Sequence, residues 1–393
     1  MKTIESIAKN LKNKKIILRL DLNVPLNKQN ITDSNRIDKI IPTLNFLINN
    51  NAKILILSHV GRPKGKKIKE FSMEPICNYL KKKLNQNINF VKTDINNLKK
   101  QDLFDDTKKS ILMLENLRFY DGEEQNNEEF AKTLASFGDL YVNDAFSCSH
   151  REHASVSKIT KYVPSYAGIQ LMSEITALKK ITKDIVRPIT CIIGGSKIST
   201  KINVIKNLIS KFDNLIFVGG MANNILKNKN YQIGKSIFEE NCDDIIESIF
   251  TLSKKGSCKL IYPVDVSVSK EINGNGSIKK ISEILEDDLI LDIGPETVKI
   301  LNKTIDESKT VLWNGPAGYF ENENFKNGSL KIAKKISEKN KKNEIYSVAG
   351  GGDTVAALNN FGLTKYFNFV STAGGAFLEF LEGKKLPGIK ALE

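Results

Sequence analysis

No stretch of ~18 apolar residues occurs in the 393-residue chain, so no membrane-spanning helix is expected. The opening Met1-Lys-Thr-Ile-Glu-Ser-Ile-Ala-Lys-Asn-Leu11 lacks the apolar core of a secretion signal, and a cytoplasmic location is the expectation. The five cysteines, Cys77, Cys148, Cys191, Cys242 and Cys258, are scattered, odd in number and never in C-x-x-C spacing. That excludes a disulfide framework and a thiolate zinc site, and implies reduced thiols. Only three histidines are present. His150 and His153 could suggest a metal pair, but no metal site is expected there. A P-loop is missing. The triple glycine beginning at Gly350 is not a dinucleotide fingerprint, because Val355 stands where the last glycine should be.

Arginine is the most telling shortage. Of 59 basic residues six are arginine: Arg19, Arg36, Arg62, Arg118, Arg151 and Arg187. In so lysine-rich a chain, arginine is expected where a planar fork of donors does what an ammonium cannot, as in gripping a carboxylate or phosphate. Five of the six precede residue 152, as do His59, His150 and His153. The net charge of +14 is not gathered into one patch. Lysines run the whole length of the chain, and no aromatic cluster offers stacking platforms, so nucleic-acid binding is not expected. A small anionic ligand in a positive cleft is consistent with this charge. Hydrophobic content of 40% and charged content of 26% fit an ordinary globular chain, long enough for two or three domains.

Short apolar runs alternate with amphipathic stretches throughout, the rhythm of an α/β fold. In the first half, strands are expected at 16–20, 53–57, 88–91, 111–114 and 140–143. Helices are expected from Arg36 onward, over Met73 to Leu80, and over 128–137. The strands run into Asp21-Leu-Asn23, Ser58-His59-Val-Gly-Arg62, Glu115-Asn-Leu-Arg118 and Asp144 through Arg151. Ligands of open α/β sheets bind beyond the carboxyl ends of strands. Asp21, Asn23, Arg36, His59, Arg62, Arg118 and Arg151 are therefore expected on one rim, shaped for a small polyanion. Asp21 and Glu123 or Glu124 are conceivable acid–base carboxylates, but nothing fixes their spacing.

A helical stretch at 168–183 links the halves. In the second half the strands close on glycine instead: Gly194-Gly195, Gly219-Gly220, Gly294, Gly315, Gly350-Gly-Gly352 and Gly374-Gly375. Bare backbone at a strand end admits a ligand closely. The central stretch is Ile189-Thr-Cys-Ile-Ile-Gly-Gly-Ser-Lys-Ile-Ser-Thr-Lys201. It reads as a buried strand, a glycine turn and a helix start, a place for anions. Lys197 and Lys201, four apart, are expected to share one helix face there. Asp353 follows the triple glycine, either as a helix cap or as a carboxylate for Mg²⁺ beside phosphate oxygens.

Seven motifs in one order resemble phosphoglycerate kinase: Arg19-Leu-Asp-Leu-Asn-Val-Pro25, Ser58-His-Val-Gly-Arg-Pro63, Glu115-Asn-Leu-Arg-Phe119, His150-Arg-Glu-His153, Gly194-Gly-Ser-Lys-Ile-Ser-Thr-Lys201, Trp313-Asn-Gly-Pro-Ala-Gly318 and Gly350-Gly-Gly-Asp-Thr354. The resemblance implies two doubly wound, Rossmann-like parallel-sheet domains joined by a hinge helix. Residues 1–168 would bind 3-phosphoglycerate; residues 169–381 would form the hinge helix and the nucleotide domain; residues 382–393 would pack back on the first domain. It implies reversible phosphoryl transfer from 1,3-bisphosphoglycerate to ADP, with Mg²⁺, in a cytoplasmic monomer without nucleic-acid or membrane partners. Asp21, Asn23, Arg36, His59, Arg62, Arg118 and Arg151 match the substrate site, with His153 beside it. Lys201, Asn314, Glu321, Gly351, Gly352, Asp353 and Thr354 match the nucleotide site, with Asp353 toward the metal. Arg36, Lys197, Gly374 and Gly375 match the groups around the moving phosphoryl. Two other readings remain open at this point. A nucleotide-dependent regulatory protein would keep the glycine turns and have no use for the Arg/His rim. A nucleic-acid-binding protein would need the charge but not the motif order.

Overall fold

The computed structural model describes residues 1–104 and 111–393. The chain forms two compact units, residues 1–176 with 385–393, and residues 177–384.

The first unit is built on six parallel strands: β1 (Lys15–Leu20), β2 (Lys53–Leu57), β3 (Asn89–Val91), β4 (Ile111–Leu114), β5 (Leu140–Asp144) and β6 (Ser165–Ala167), in the order β3-β4-β2-β1-β5-β6. Alternate residues face opposite sides of a strand. Ile16, Leu18, Leu20, Ile54 and Ile56 pack in one buried cluster with Ile37, Ile40, Leu44 and Leu47 of helix α1 (Asn35–Asn49). Ile17, Leu55 and Leu57 pack in another with Phe130, Leu134 and Tyr141. Both faces of the sheet are thus covered, which is what near-continuous apolar strands require. Helix α1 keeps its 3.6-residue stripe despite Pro42 inside it.

Helix α2 (Ile169–Thr182) carries the chain from the first unit into the second. The second unit has its own six parallel strands: β7 (Ile189–Ile193), β8 (Asn214–Phe217), β9 (Lys259–Ile261), β13 (Thr310–Asn314), β14 (Tyr346–Gly350) and β15 (Phe369–Ser371), ordered β9-β8-β7-β13-β14-β15. Between them in sequence lie β10 (Asp265–Ser269), β11 (Ser277–Lys280) and β12 (Leu289–Ile293), a separate antiparallel sheet ordered β11-β10-β12. Gly294 closes a strand as expected, but that strand belongs to this small sheet and not to the row of parallel strands. The apolar pattern of 289–293 cannot reveal which sheet a strand joins, because the periodicity is the same in either.

Candidate functional site

In the first unit the loops after β1, β2 and β4 are tied together through Ser58. Ser58 Oγ donates to the Leu20 carbonyl (2.7 Å), Leu22 N–H donates to Ser58 Oγ (3.1 Å), and Leu117 N–H donates to the Ser58 carbonyl (3.1 Å). Arg36, in the first turn of α1, donates from Nη1 to Asp21 Oδ1 and to the Asn23 carbonyl, each at 3.1 Å. Asn23 Oδ1 accepts from Gly61 N–H (2.9 Å), and Arg118 Nη1 donates to the Gly61 carbonyl (2.8 Å). Both peptide groups of Gly61 are therefore held, which fixes where Arg62 leaves the loop. Arg62 and Arg151 are exposed and make no side-chain hydrogen bond or ion pair among the described residues.

Beneath this rim lies Arg19, fully buried. Its Nε donates to Ser155 Oγ (2.9 Å) and its Nη1 to the Leu20 carbonyl (2.6 Å), and its Nη2 lies 3.0 Å from His59 Nδ1. A guanidinium can only donate, so Nδ1 accepts and the ring proton of neutral His59 sits on Nε2. Burial drives the His59 pKa well below its ordinary value, and the charges of Arg19, Arg118 and Arg36 push the same way. His153 is pushed down to about 3 by burial, then by Arg118, Arg19 and Arg151. Both imidazoles are neutral at physiological pH. Ser155 passes the contact on: its N–H and hydroxyl donate to the two oxygens of buried Glu123, at 2.9 and 2.6 Å.

In the second unit one half-buried ammonium joins three strand ends. Lys201 Nζ donates to the Gly194 carbonyl (2.6 Å) and to Asn314 Oδ1 (2.7 Å), while Asn314 Nδ2 donates to the Gly350 carbonyl (2.7 Å). Gly315 N–H donates to Thr354 Oγ1 (2.7 Å). Two glycines are required by contact. At Gly315, with φ +109°, an added Cβ would stand 2.5 Å from Gly194 backbone; at Gly351, with φ +95°, it would stand 2.6 Å from Asn314 Nδ2. By contrast, nothing lies within 4 Å of a Cβ added at Gly352 or Gly374. Gly374 and Gly375 are exposed at the start of helix α5 (Gly375–Leu381). Asp353 is in the first turn of helix α4 (Gly352–Asn360), where Gly351, and not Asp353, takes the cap position.

The shared helix face expected for Lys197 and Lys201 is not found. Helix α3 (Ile202–Ile209) begins after both, and Ser199–Lys201 form a 3₁₀ turn. Lys201 folds back under the strand ends while Lys197 stands exposed in the preceding loop. Glu239 pins that loop by accepting from Ser199 N–H (3.0 Å) and Ser199 Oγ. Beside these turns opens a cavity of about 640 Å³, lined by Gly220, Ile237, Leu289, Tyr319 and Asp353 among others. Glu321 is exposed and is not one of its lining residues.

A sequence profile described as phosphoglycerate kinase matches residues 4–384. The chain belongs to the phosphoglycerate kinase family. A phosphoglycerate kinase of Wolbachia sp. subsp. Drosophila simulans is 43% identical over 385 residues, covering 98% of this chain and 96% of the relative. That of Zymomonas mobilis is 43% identical over 395 residues, covering 100% and 99%. Among solved structures, phosphoglycerate kinase from Coxiella burnetii has a TM-score of 0.88 at 40% identity, covering 98% of this chain and 97% of that one. The Pyrococcus horikoshii enzyme has a TM-score of 0.84 at 26% identity, covering 100% and 98%. As a phosphoglycerate kinase, the chain is a phosphotransferase.

Sequence reasoning missed the part that several residues play. Arg19 and Trp313 each open one of the motifs, yet nothing there placed Arg19 below the loops or showed that the buried indole N–H of Trp313 donates to the Gly315 carbonyl (2.8 Å), anchoring that turn. Glu239 and Ile237 lie in a loop far from any motif.

Proposed function

We propose that the Arg/His rim of the first unit holds 3-phosphoglycerate or 1,3-bisphosphoglycerate, and that the glycine turns and cavity of the second hold ADP or ATP. What most supports this is the pairing of crowded guanidiniums with two neutral buried histidines. Such a rim attracts and orients an anion and is not set to remove protons. Phosphoryl transfer needs no more, because the attacking oxygen is already ionised and the work is positioning and charge neutralisation.

On this reading Arg62, Arg118 and Arg151 grip carboxylate and phosphate, with Asp21 and Asn23 beside them and His59 offering its Nε2 proton. Lys197 and Arg36 neutralise the moving phosphoryl, with Gly374 and Gly375 N–H groups adjacent. Lys201, Asn314 and Thr354 shape the turns that meet the nucleotide phosphates. The largely apolar cavity suits a flat nucleobase. Asp353, exposed at the cavity edge and without an ion pair among the described residues, fits Mg²⁺, which takes one or two carboxylates plus phosphate oxygens. Bound there, Mg²⁺ would neutralise phosphate charge. The two ligands must meet for transfer, and α2 serves as the hinge. The enzyme acts as a cytoplasmic monomer without nucleic-acid or membrane partners. No described helix is long and apolar enough to cross a membrane.

A coupled assay for ATP formation from ADP and 1,3-bisphosphoglycerate tests the activity; no ATP formed by folded protein would end the reading. Arg62→Lys is expected to weaken 3-phosphoglycerate binding about tenfold, because the fork is lost, while ADP binding stays unchanged by calorimetry. Lys201 gives a proton-linked signature. Burial holds its pKa down at about 8 against the upward pull of Cys191 and Asp353. A phosphate arriving nearby raises it, so the complex holds more protons than the free enzyme. Nucleotide binding at pH 8 is expected to take up a fraction of a proton, and affinity to fall as pH rises through about 8. Calorimetry in buffers of different ionisation enthalpy reads this directly; no buffer dependence would contradict it.

A further inference from the structure

We infer that Ser147 is a positioning residue for the substrate rim, acting by fixing the carboxylate of Asp21. The inference rests on the reading of Asp21 and Arg36 given above. Asp21 is nearly buried, and its two oxygens are divided between two elements. Oδ1 accepts from Arg36 Nη1 (3.1 Å) and from Asn23 N–H (3.3 Å). Oδ2 accepts from Ser147 Oγ (2.5 Å). Rotating the carboxylate about its Cβ–Cγ bond would break contacts on both oxygens, so the serine hydroxyl locks the plane in which Oδ1 meets Arg36.

The turn that delivers Ser147 is itself firmly held. It is a 3₁₀ turn, Phe146–Cys148, directly after β5. Asn143 Oδ1 accepts from Ala145 N–H (3.0 Å), and Ser149 Oγ donates to the Ala145 carbonyl (3.2 Å). From the far end of the sequence, Gly388 N–H donates to the Ser149 carbonyl (2.8 Å), and Gly388 packs so closely that an added Cβ would lie 2.9 Å from Ser149 Cα. Ser147 thus presents its hydroxyl from a braced support, while Arg36 and Asn23 approach Asp21 from the opposite side of the same carboxylate. Cys148 cannot replace it: its thiol lies 3.7 Å from Ser147 Oγ and 4.0 Å from His59 Nδ1, and no hydrogen bond joins it to Asp21.

The test compares Ser147→Ala, Ser147→Thr, Asp21→Asn and the double variant Ser147→Ala/Asp21→Asn in steady-state kinetics. Loss of one hydrogen bond to a charged group that keeps its other partner is expected to raise KM for 3-phosphoglycerate roughly three- to tenfold. KM for ATP should stay within about twofold, since the change removes no group from the nucleotide site. Ser147→Thr retains the hydroxyl and should restore KM. In the Asp21→Asn background, Ser147→Ala should add little, because its target carboxylate is gone. Thermal melting of each variant separates loss of fold from loss of position. An unchanged KM for 3-phosphoglycerate in Ser147→Ala, alongside a raised KM in Asp21→Asn, would overturn the inference and leave the site reading standing. An unchanged KM in Asp21→Asn itself would overturn the site reading. Equal rises in KM for both substrates, without rescue by threonine, would show a merely structural role for Ser147.

Discussion

Lys197→Ala is expected to lower kcat by a hundredfold or more while ADP still binds. The side chain stands exposed in the loop before α3 and makes no hydrogen bond or ion pair among the described residues. Its charge makes no close pair and reaches Glu239 only as the last of the influences on that carboxylate. The loop beneath it is held instead by Glu239, whose carboxylate is kept below its usual range by the Ser199 hydroxyl and N–H. Truncation should then leave the loop in place and remove only the ammonium. A preorganised donor at a site of developing charge contributes about 2.7–4 kcal/mol, or roughly 10²–10³ in rate. Single-turnover measurements with saturating nucleotide check this, and a kcat within a factor of a few of the parent would remove Lys197 from the transfer step. Lys201 should behave differently. It bridges Gly194 and Asn314, so its loss should disturb the turns themselves and weaken nucleotide binding as well as turnover.

Arg19→Met is expected to destabilise the first unit by about 3–5 kcal/mol, the usual cost of leaving one member of a buried charged network without its partner. Methionine fills similar space but cannot donate to Ser155 or to His59. Glu123, with no solvent exposure, would then keep Ser155 but lose the guanidinium to which Ser155 links it. The melting midpoint of that unit should fall by roughly 10 °C. His59 would also lose the donor that settles its tautomer, so 3-phosphoglycerate binding should weaken in whatever fraction stays folded. Calorimetric melting of the parent and the variant decides the matter; a drop of less than about 2 °C would mean that water replaces the guanidinium at little cost.

These two residues also mark what was readable from sequence. Strands are recognised by short apolar runs, and β1, β2, β4, β5 and β7 lie within a residue or so of where those runs placed them. The residues at their carboxyl ends follow from that placement, which is why Asp21, Asn23, His59 and Arg118 could be assigned to one rim before any coordinates. Arg19 lies one residue inside β1, where alternation alone would have made it a misfit in an apolar core. Only the fold shows that Ser155 and Glu123 receive it there. The apolar spacing of Ile198, Ile202 and Ile205 continues through the 3₁₀ turn without a break, so it predicts a helix one turn earlier than α3 begins. Pairing partners likewise leave no mark on a five-residue apolar run, so nothing local separates the strand before Gly294 from the parallel ones. The aliphatic walls of the cavity come from several separate segments, among them Ile237, Val266, Ile272 and Leu289, and no local pattern distinguishes these from ordinary core residues.

The first unit draws its final residues, 385–393, from beyond the whole of the second. A chain cut after residue 384 would keep every residue of the second unit and lose the segment that supplies Gly388 to the Ser149 turn. Such a cut should therefore loosen the corner of the first unit while leaving the glycine turns of the second intact.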